Sequence, residues 1–416
     1  MPWRALLRTS GALWGLLPAC VWMWLFAHQP DSTVTDRYWE AATAQTTTIG
    51  IVAVALSAAA AAWEAVRLRR SRIADGAGAP VRTPIVVALS QLRTVWGAGL
   101  ACVLWTLVCV SEWAAGAPGA PDPRVIGLLC LMILAYTLAG YAVGWLFPGV
   151  LAVPAVAVAT FLWLSYPVAL EPFWLRQLNG TNLAECCAYD RTLDTRALVG
   201  PALVATGLLV AAVVAIVVRA WAARLAGLLP LALAVLVAVP MVDPLGYDPT
   251  DSRDTAALSC AGTSPQVCVW PEQDDDAEKF RTWVEDSAGR LRKAGIAMPR
   301  TYTPAYSHPT RPDVVASLVS ALMPQTTPAC AADEGSWAGE SAYGPLAAWL
   351  ELTAGARTAD VAGRFDDGGR TLALVHRVRK QPVRAQKQWY KKNRAALTSC
   401  GVKPELNPDA HSGGDA

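Results

Sequence analysis

Seven apolar stretches fill the first 242 or so residues of this 416-residue chain, and none follows in the remaining polar part. A hydrocarbon core about 30 Å thick calls for roughly 20 apolar residues per helix, because in lipid each backbone amide must find its partner inside its own segment. The stretches run over 9–28, 46–66, 94–113, 125–146, 149–169, 197–218 and 225–242. The window Val199–Val218 carries no ionisable side chain, so it avoids the roughly 2.5–3.5 kcal/mol that a central charge costs on insertion. The chain reads as an all-α membrane protein: a transmembrane helical domain over 1–242, a mainly helical extracytoplasmic domain over 243–403, and a disordered tail over 404–416.

The first stretch follows Arg4 and Arg8 in the manner of a secretory signal. Its bulky Trp14, Trp22 and Trp24, and the lack of a small-x-small cleavage site before Gln29, Pro30 and Asp31, favour a retained span. Orientation follows from arginine, which short cytoplasmic loops retain. An inside N-terminus puts Arg4, Arg8, Arg67, Arg69, Arg70, Arg72, Arg82, Arg93, Arg219 and Arg224 in the cytoplasm. Arg37, Arg124, Arg176, Arg191 and Arg196 then lie outside, and an odd number of spans sends the C-terminal domain out. Trp22, Trp39, Trp113, Trp163, Tyr166, Phe173 and Trp174 cluster at the same outer level. The hairpin at Phe147, Pro148 and Gly149 is decisive, since merging spans four and five would reverse the tail.

Cysteine placement is a second guide to compartment. Cys20, Cys102, Cys109 and Cys130 fall within spans, where a thiol acts as a small apolar filler. Cys186, Cys187, Cys260, Cys268, Cys330 and Cys400 all fall in segments assigned to the outside, where oxidising surroundings favour disulfides. Cys260 with Cys268 would close a short loop and Cys330 with Cys400 would staple the domain, although six cysteines allow 15 pairings. The adjacent Cys186 and Cys187 do not bond to each other easily, so one or both are expected to reach toward the tail.

In the tail, Asp274, Asp275 and Asp276 offer an N-cap ahead of Phe280, Val284 and Leu291, and Gly295 ends that helix. Asp313 would cap a helix through Leu318 and Leu322, stopping at Pro324. Pro345 opens another through Leu346, Trp349 and Leu350, stopping at Gly355, and Pro382 opens a last one with Val383, Tyr390 and Leu397 at seven-residue spacing. Leu372–Val378 alternates in the manner of a short strand.

No catalytic, cofactor or metal site is expected. The chain has no Gly-x-x-x-x-Gly-Lys phosphate loop and no His-Glu-x-x-His, and His28, His308, His376 and His411 are scattered. Ser307 beside His308 lacks an evident acid, and adjacent side chains rarely face one another. A net charge of +2 with no zinc finger gives no reason to expect nucleic acid. Eight cations between Arg377 and Arg394, uninterrupted by an acid, read as a solvated face or as a partner for the acidic run Glu272–Asp286. Richness in alanine, arginine and valine points to a bacterial source of high GC content, where the Asn179-Gly180-Thr181 sequon carries no weight.

The membrane half has no central carboxylate, histidine or lysine of the kind that proton or sodium coupling requires, and Glu64 and Glu112 stand near span ends. Any transport would draw its energy from a partner. Arg67, Arg69, Arg70 and Arg72 open the longest cytoplasmic loop, ending near Arg93, and form the candidate docking loop for a separate ATPase. Gly140 and Gly144 make a small-xxx-small pair suited to close helix approach.

The chain resembles actinobacterial ABC-2-type transporter permeases, in particular multi-span proteins with a large C-terminal extracytoplasmic domain. The resemblance is carried by Trp63-Glu64 followed by Arg67-Leu68-Arg69-Arg70, Glu171-Pro172-Phe173-Trp174-Leu175-Arg176, Cys186-Cys187 before Leu193-Asp194, and Cys268-Val269-Trp270-Pro271-Glu272. It implies a homodimer working with a separate nucleotide-binding subunit in the bacterial cell membrane. Seven spans rather than the six of a minimal permease half, and the size of the tail, depart from that pattern. The alternative expectation is a non-transporting scaffold or sensor whose outer domain binds a ligand or protein.

Overall fold

The computed structural model of the chain describes residues 11–29, 34–70, 83–147, 149, 151–218, 220–305, 310–326, 328–334, 337–365 and 367–411. Arg4, Arg8, Arg72, Arg82, Arg219, Ser307 and His308 lie outside the described residues. The chain divides into two compact units, Met1–Asp254 and Thr255–Ala416. Residues 243–254, which the sequence reading joins to the outer domain, fold with the first unit.

The first unit is built from α1 (Gly11–Ala27), α2 (Trp39–Ile49), α3 (Ile51–Arg70), α4 (Pro84–Ser111), α5 (Pro123–Leu146), α6 (Ala152–Ser165), α7 (Trp174–Leu178), α8 (Thr195–Val217), α9 (Trp221–Ala226) and α10 (Leu229–Val242). Six helical segments among the described residues are long and apolar enough to cross a membrane, namely 39–70, 84–111, 123–146, 152–169, 195–217 and 221–245. Of the seven stretches, the first appears as the shorter helix α1, with 17 residues. The fourth and fifth are separate helices, α5 and α6.

Helix α4 begins ten residues before the apolar stretch that announces it. Pro84 occupies its first turn, where a missing N–H costs nothing, and Ala88, Leu92 and Val95 continue its buried face. Arg93, expected at the end of a loop, therefore lies inside this helix. Two other starts share a local device. Asp122 and Asp194 are the N-caps of α5 and α8, and their carboxylates accept from the backbone N–H of Arg124 at 2.8 Å and of Arg196 at 2.7 Å.

Helix α3 is the hub of the bundle, packed against α1, α4, α5 and α6. Its buried face is mostly alanine from Ala53 to Ala65, with Val54, Ser57 and Glu64 among them. Opposite it stand Gly140 and Gly144 of α5, where an added Cβ would overlap the backbone of Ala58 and Ala62. The small-xxx-small pair is thus the point of nearest backbone approach that such pairs permit in membranes. Helix α1 lays Ala19, Met23 and Ala27 inward at four-residue spacing, and the Trp105 indole of α4 donates to the Cys20 carbonyl at 2.9 Å.

The second unit opens with a three-stranded sheet. Strand β3 (Ser259–Ala261) runs antiparallel to β4 (Gln266–Val269), which pairs in parallel with β5 (Thr301–Tyr302). Helices α11 (Ala277–Lys293), α12 (Arg311–Leu322), α13 (Ala329–Glu334), α14 (Tyr343–Ala354), α15 (Thr358–Ala362), α16 (Arg370–Lys380) and α17 (Val383–Thr398) follow. One core unites Phe280, Leu291, Leu318, Leu346, Trp349 and Trp389.

The expected stops hold: Gly295 and Gly355 adopt φ of +81° and +103°, a region that glycine enters without a Cβ penalty. Asp276 occupies the N-cap position of α11 without a capping bond, and its carboxylate instead meets Lys279 at 2.5 Å. Helix α12 is capped by Thr310, with Asp313 reaching back to the Thr310 N–H at 2.9 Å. Leu372–Val378, expected as a strand, belongs to α16: Val375 and Val378 are its buried pair, a helical spacing that the short alternation concealed. Beyond Cys400, expected to be disordered from 404, residues 404–411 include two bonds that join Glu405 to Asn393 and a short 3-10 turn at Pro408–His411.

Candidate functional site

Four connections meet at one end of the first unit: those after α1, between α4 and α5, between α6 and α8, and after α10. Their backbones carry many polar groups, and they satisfy one another. Thr35 donates to the Cys187 carbonyl at 2.7 Å, and Gln45 to the Ala184 carbonyl at 2.7 Å. Arg37 donates to the Gly116 carbonyl at 2.8 Å. Short strands β1 (Arg191–Leu193) and β2 (Thr250–Ser252) pair antiparallel and bring the segment after α10 into the same cap.

Glu40, on the first turn of α2, is the cap's central acceptor. One carboxylate oxygen takes the Thr192 hydroxyl at 2.6 Å, the Leu193 N–H at 2.9 Å and the Arg124 guanidinium at 3.2 Å. The other takes the Tyr38 hydroxyl at 2.9 Å. This acid stands just before an apolar run, yet all its partners except Tyr38 lie 84 or more residues away, so the sequence gives no sign of it. Nearby, the Arg196 guanidinium holds the Asp194 carboxyl below its ordinary value.

Beside this network lies a buried polar cluster: Arg176, Gln177, Asn179, Thr181 and Asn182. Asn179 donates to the Leu164 carbonyl at 3.1 Å at the end of α6, and Thr181 donates to the same oxygen at 2.8 Å. Arg176, only 2% exposed, donates from Nε to Asn182 Oδ1 at 2.8 Å, and its guanidinium stacks 3.9 Å from the Tyr247 ring centroid. Gln177 and Asn182 hold the turn that carries Tyr247, donating to the Gly246 carbonyl at 3.1 Å and the Tyr247 carbonyl at 3.4 Å. Asn182 also lines a groove of about 280 Å3 bounded by Phe26, Ile49, Val52, Phe161 and Leu164.

At the opposite end of α3, the candidate docking arginines divide. Arg67 meets the buried Glu64 at 2.5 Å, and Arg69 donates to the Trp145 carbonyl with its guanidinium 5.9 Å from the Trp145 ring. Arg70 is exposed, and Arg72 lies outside the described residues.

The six cysteines outside the apolar stretches fall into three pairs at bonding distance. Cys186 and Cys187 are paired with each other, a partnership that the sequence reading set aside, and both are buried in the cap. Cys260 and Cys268 face each other across the β3–β4 ladder, and Cys330 of α13 pairs with Cys400, two residues beyond α17. The four others, Cys20, Cys102, Cys109 and Cys130, are free. Among the described residues no three His, Cys, Asp or Glu side chains gather in a way that could hold a metal ion.

In the tail, α16 and α17 bury Val375, Val378, Ala385, Trp389 and Leu397. Arg377, Arg379, Lys380, Lys391, Lys392 and Arg394 point outward and are exposed. Acids of the 272–286 run have other partners: Asp276 pairs with Lys279, Glu278 with Arg281, and Asp286 with Arg290 and Arg311.

A family model described as a domain of unknown function, DUF7224, matches residues 267–400, which lie within the second unit. No curated protein and no solved structure matches the chain.

Proposed function

We propose that the chain is the membrane subunit of a bacterial ABC-type transporter, working as a homodimer and energised by a separate ATP-binding protein, with its C-terminal domain outside the cytoplasm. The observation that carries this reading is α3. It is the hub against which α1, α4, α5 and α6 pack, and it ends in Arg67, Arg69 and Arg70. A partner seated on those arginines pushes directly on the helix that all these neighbours share. Differential binding of ATP to that partner would shift the bundle between two arrangements.

In this reading α1 counts as the seventh crossing. The cap then faces outward, as do the three cysteine pairs, which are oxidised in that compartment. Gathering of four connections at one end of the unit supports the relative sidedness of the helices.

A second reading is favoured by the family match, which is confined to the tail: the bundle anchors an outer domain that binds a ligand or protein. Affinity purification of the tagged chain in mild detergent, with mass spectrometry of its companions, separates the two. A stoichiometric ATP-binding subunit supports the transporter, and its repeated absence from intact protein transfers the proposal to the anchored binding domain.

A further inference from the structure

Six cations elsewhere in the second unit have carboxylate partners. Lys279 pairs with Asp276, Arg281 with Glu278, Arg290 and Arg311 with Asp286, Arg357 with Asp360, and Arg364 with Glu351. Helices α16 and α17 differ. No acid occurs between Asp367 and Glu405. Among the described residues no carboxylate pairs with Arg377, Arg379, Lys380, Lys391, Lys392 or Arg394, all of which are exposed. Asp409 approaches the junction of the two helices, where it accepts from Gln381 at 3.0 Å.

The cations are arranged on faces. Lys387, Lys391 and Arg394 follow one another at four- and three-residue intervals, which sets them on one side of α17, opposite the buried Ala385, Trp389 and Ala396. On α16, Arg377 and Lys380 likewise stand away from the buried pair Val375 and Val378. The apolar side of each helix is thus committed to the core, and the cationic side is what remains for a partner. Between the two sets of cations lies an apolar point. Pro382 is exposed and Val383 is 60% exposed, and among the described residues of the second unit Val383 and Tyr343 are the large apolar side chains left in the open. Val383, four residues before Lys387, shares its face.

A lipid surface supplies both partners that such a face calls for, phosphate oxygens for lysine and arginine and an apolar layer beneath them for valine. Single-stranded nucleic acid is held instead by exposed aromatic rings set among cations. The rings of α17, Trp389 and Tyr390, are only 1% and 8% exposed. The chain passes from the first unit into the second at Asp254–Thr255 with no residue between, so the bilayer that holds the bundle is present at high effective concentration.

We propose that α16 and α17 dock the second unit on an anionic phospholipid surface, with Arg377, Lys380, Lys391, Lys392 and Arg394 at the phosphates and Val383 entering the interfacial layer. This rests on the bundle lying in a membrane. It depends neither on transport nor on which side carries the tail, so failure of the ATPase partner leaves it standing.

The test places the full chain in nanodiscs of phosphatidylcholine alone, or of phosphatidylcholine mixed equally with phosphatidylglycerol, and reads hydrogen exchange across residues 377–394. Exchange is expected to slow at least tenfold in the anionic discs, and that protection should vanish at about 0.5 M salt, where screening shortens the reach of the charges. Lys391→Glu combined with Lys392→Glu, both at exposed positions, should abolish the protection, and Val383→Ser should reduce it at least threefold. Both variants should melt like wild type in detergent. The lipid and salt comparisons use wild-type protein, so they decide the matter even where a variant folds poorly. Equal protection in both kinds of disc, protection indifferent to salt, or undiminished protection in the double lysine variant would each overturn the proposal. So would soluble polyphosphate that protects the segment in phosphatidylcholine discs as fully as phosphatidylglycerol does, with Val383→Ser without effect, since the face would then belong to a soluble polyanion.

Discussion

The two units bury different side chains. In α2 and α3 alanine is the commonest interior residue: Ala41, Ala42, Ala44, Ala53, Ala58, Ala61, Ala62 and Ala65 are all essentially inaccessible, beside small or β-branched Thr43, Thr46, Thr47 and Val54. In the tail the largest inaccessible side chains are Trp270, Phe280, Trp349 and Trp389. A helix in lipid gains little by moving a leucine from acyl chains onto another helix, so association depends on close backbone approach and small residues allow it. A domain in water gains about 25 cal/mol for each Å2 of apolar surface it hides, so large aromatic and aliphatic side chains repay burial. The first unit does bury large apolar residues, Leu92, Leu129, Met132 and Leu164 among them, but many others remain on its outside, such as Leu104, Leu151, Leu229 and Leu236.

That contrast is most exposed to failure at Gly140 and Gly144. Changing both to leucine forces side chains into the backbone of Ala58 and Ala62, which cannot yield as a flexible side chain would. A loss on the order of 5 kcal/mol is expected in the first unit. Calorimetry of the full chain should show the tail's transition unmoved, and a simultaneous loss of both transitions would show that the units are not independently stable.

The tail should respond to its covalent link. Cys330 and Cys400 are separated by 70 residues, and on the chain-entropy account changing both to serine costs about 4 kcal/mol. The shorter Cys260–Cys268 link, with separation 8, should cost about 2–3 kcal/mol. Reduction of wild-type protein should reproduce both effects, and a tail transition indifferent to reductant would remove these links from the account of its stability.

A smaller effect is expected in the cap. Glu40→Gln keeps the shape but weakens acceptance from Thr192, Leu193 and Arg124, at a cost of about 1–3 kcal/mol. Hydrogen exchange in the connections between α4 and α5 and between α6 and α8 should rise while the α3–α5 contact remains protected. Uniform loosening of the whole bundle would show instead that the cap and helices form one cooperative unit.

The smallest expected effect is pH-dependent and confined to the tail. Burial raises the Glu351 carboxyl above its ordinary 4.5, against the opposing pull of Arg364. A raised acid binds its proton more tightly in the folded state, so its contribution favours folding at low pH and is lost as pH rises through the folded value. Asp360 and Asp367 have the opposite sign: Arg357 holds the first below 3.8, and the side chain and then the N–H of Thr371 hold the second there. Their contribution is present above 3.8 and lost as pH falls through the folded values. Urea midpoints of the tail transition at about pH 5 and about pH 7 should differ less in Glu351→Gln than in wild type. An unchanged difference would assign the dependence to other groups.

Much of the tail's helical order is written locally. Proline and glycine mark where α14 and α17 start or stop, because their backbone restrictions act without help from distant residues. Leu372–Val378 was misleading because seven residues do not separate a period of two from one of 3.6, and only the apolar core beneath Val375 and Val378 selects the helix. In the membrane half, hydropathy found the apolar interiors but misplaced the start of α4, since helix length there is set by Pro84 and not by where apolarity ends.

By itself the sequence determined that this is a helical chain with segments long and apolar enough to span a membrane, followed by a polar C-terminal part, because apolar length is dictated by the need of each backbone to satisfy itself in hydrocarbon. Only the tertiary structure decided which distant acids meet which arginines. Glu40, Arg124 and Thr192 come from three segments far apart in the chain, and Arg176 is buried against Asn182 and the Tyr247 ring. The reason is physical: periodicity and capping are properties of a few consecutive residues, whereas burial of a charge depends on which distant loops close over it.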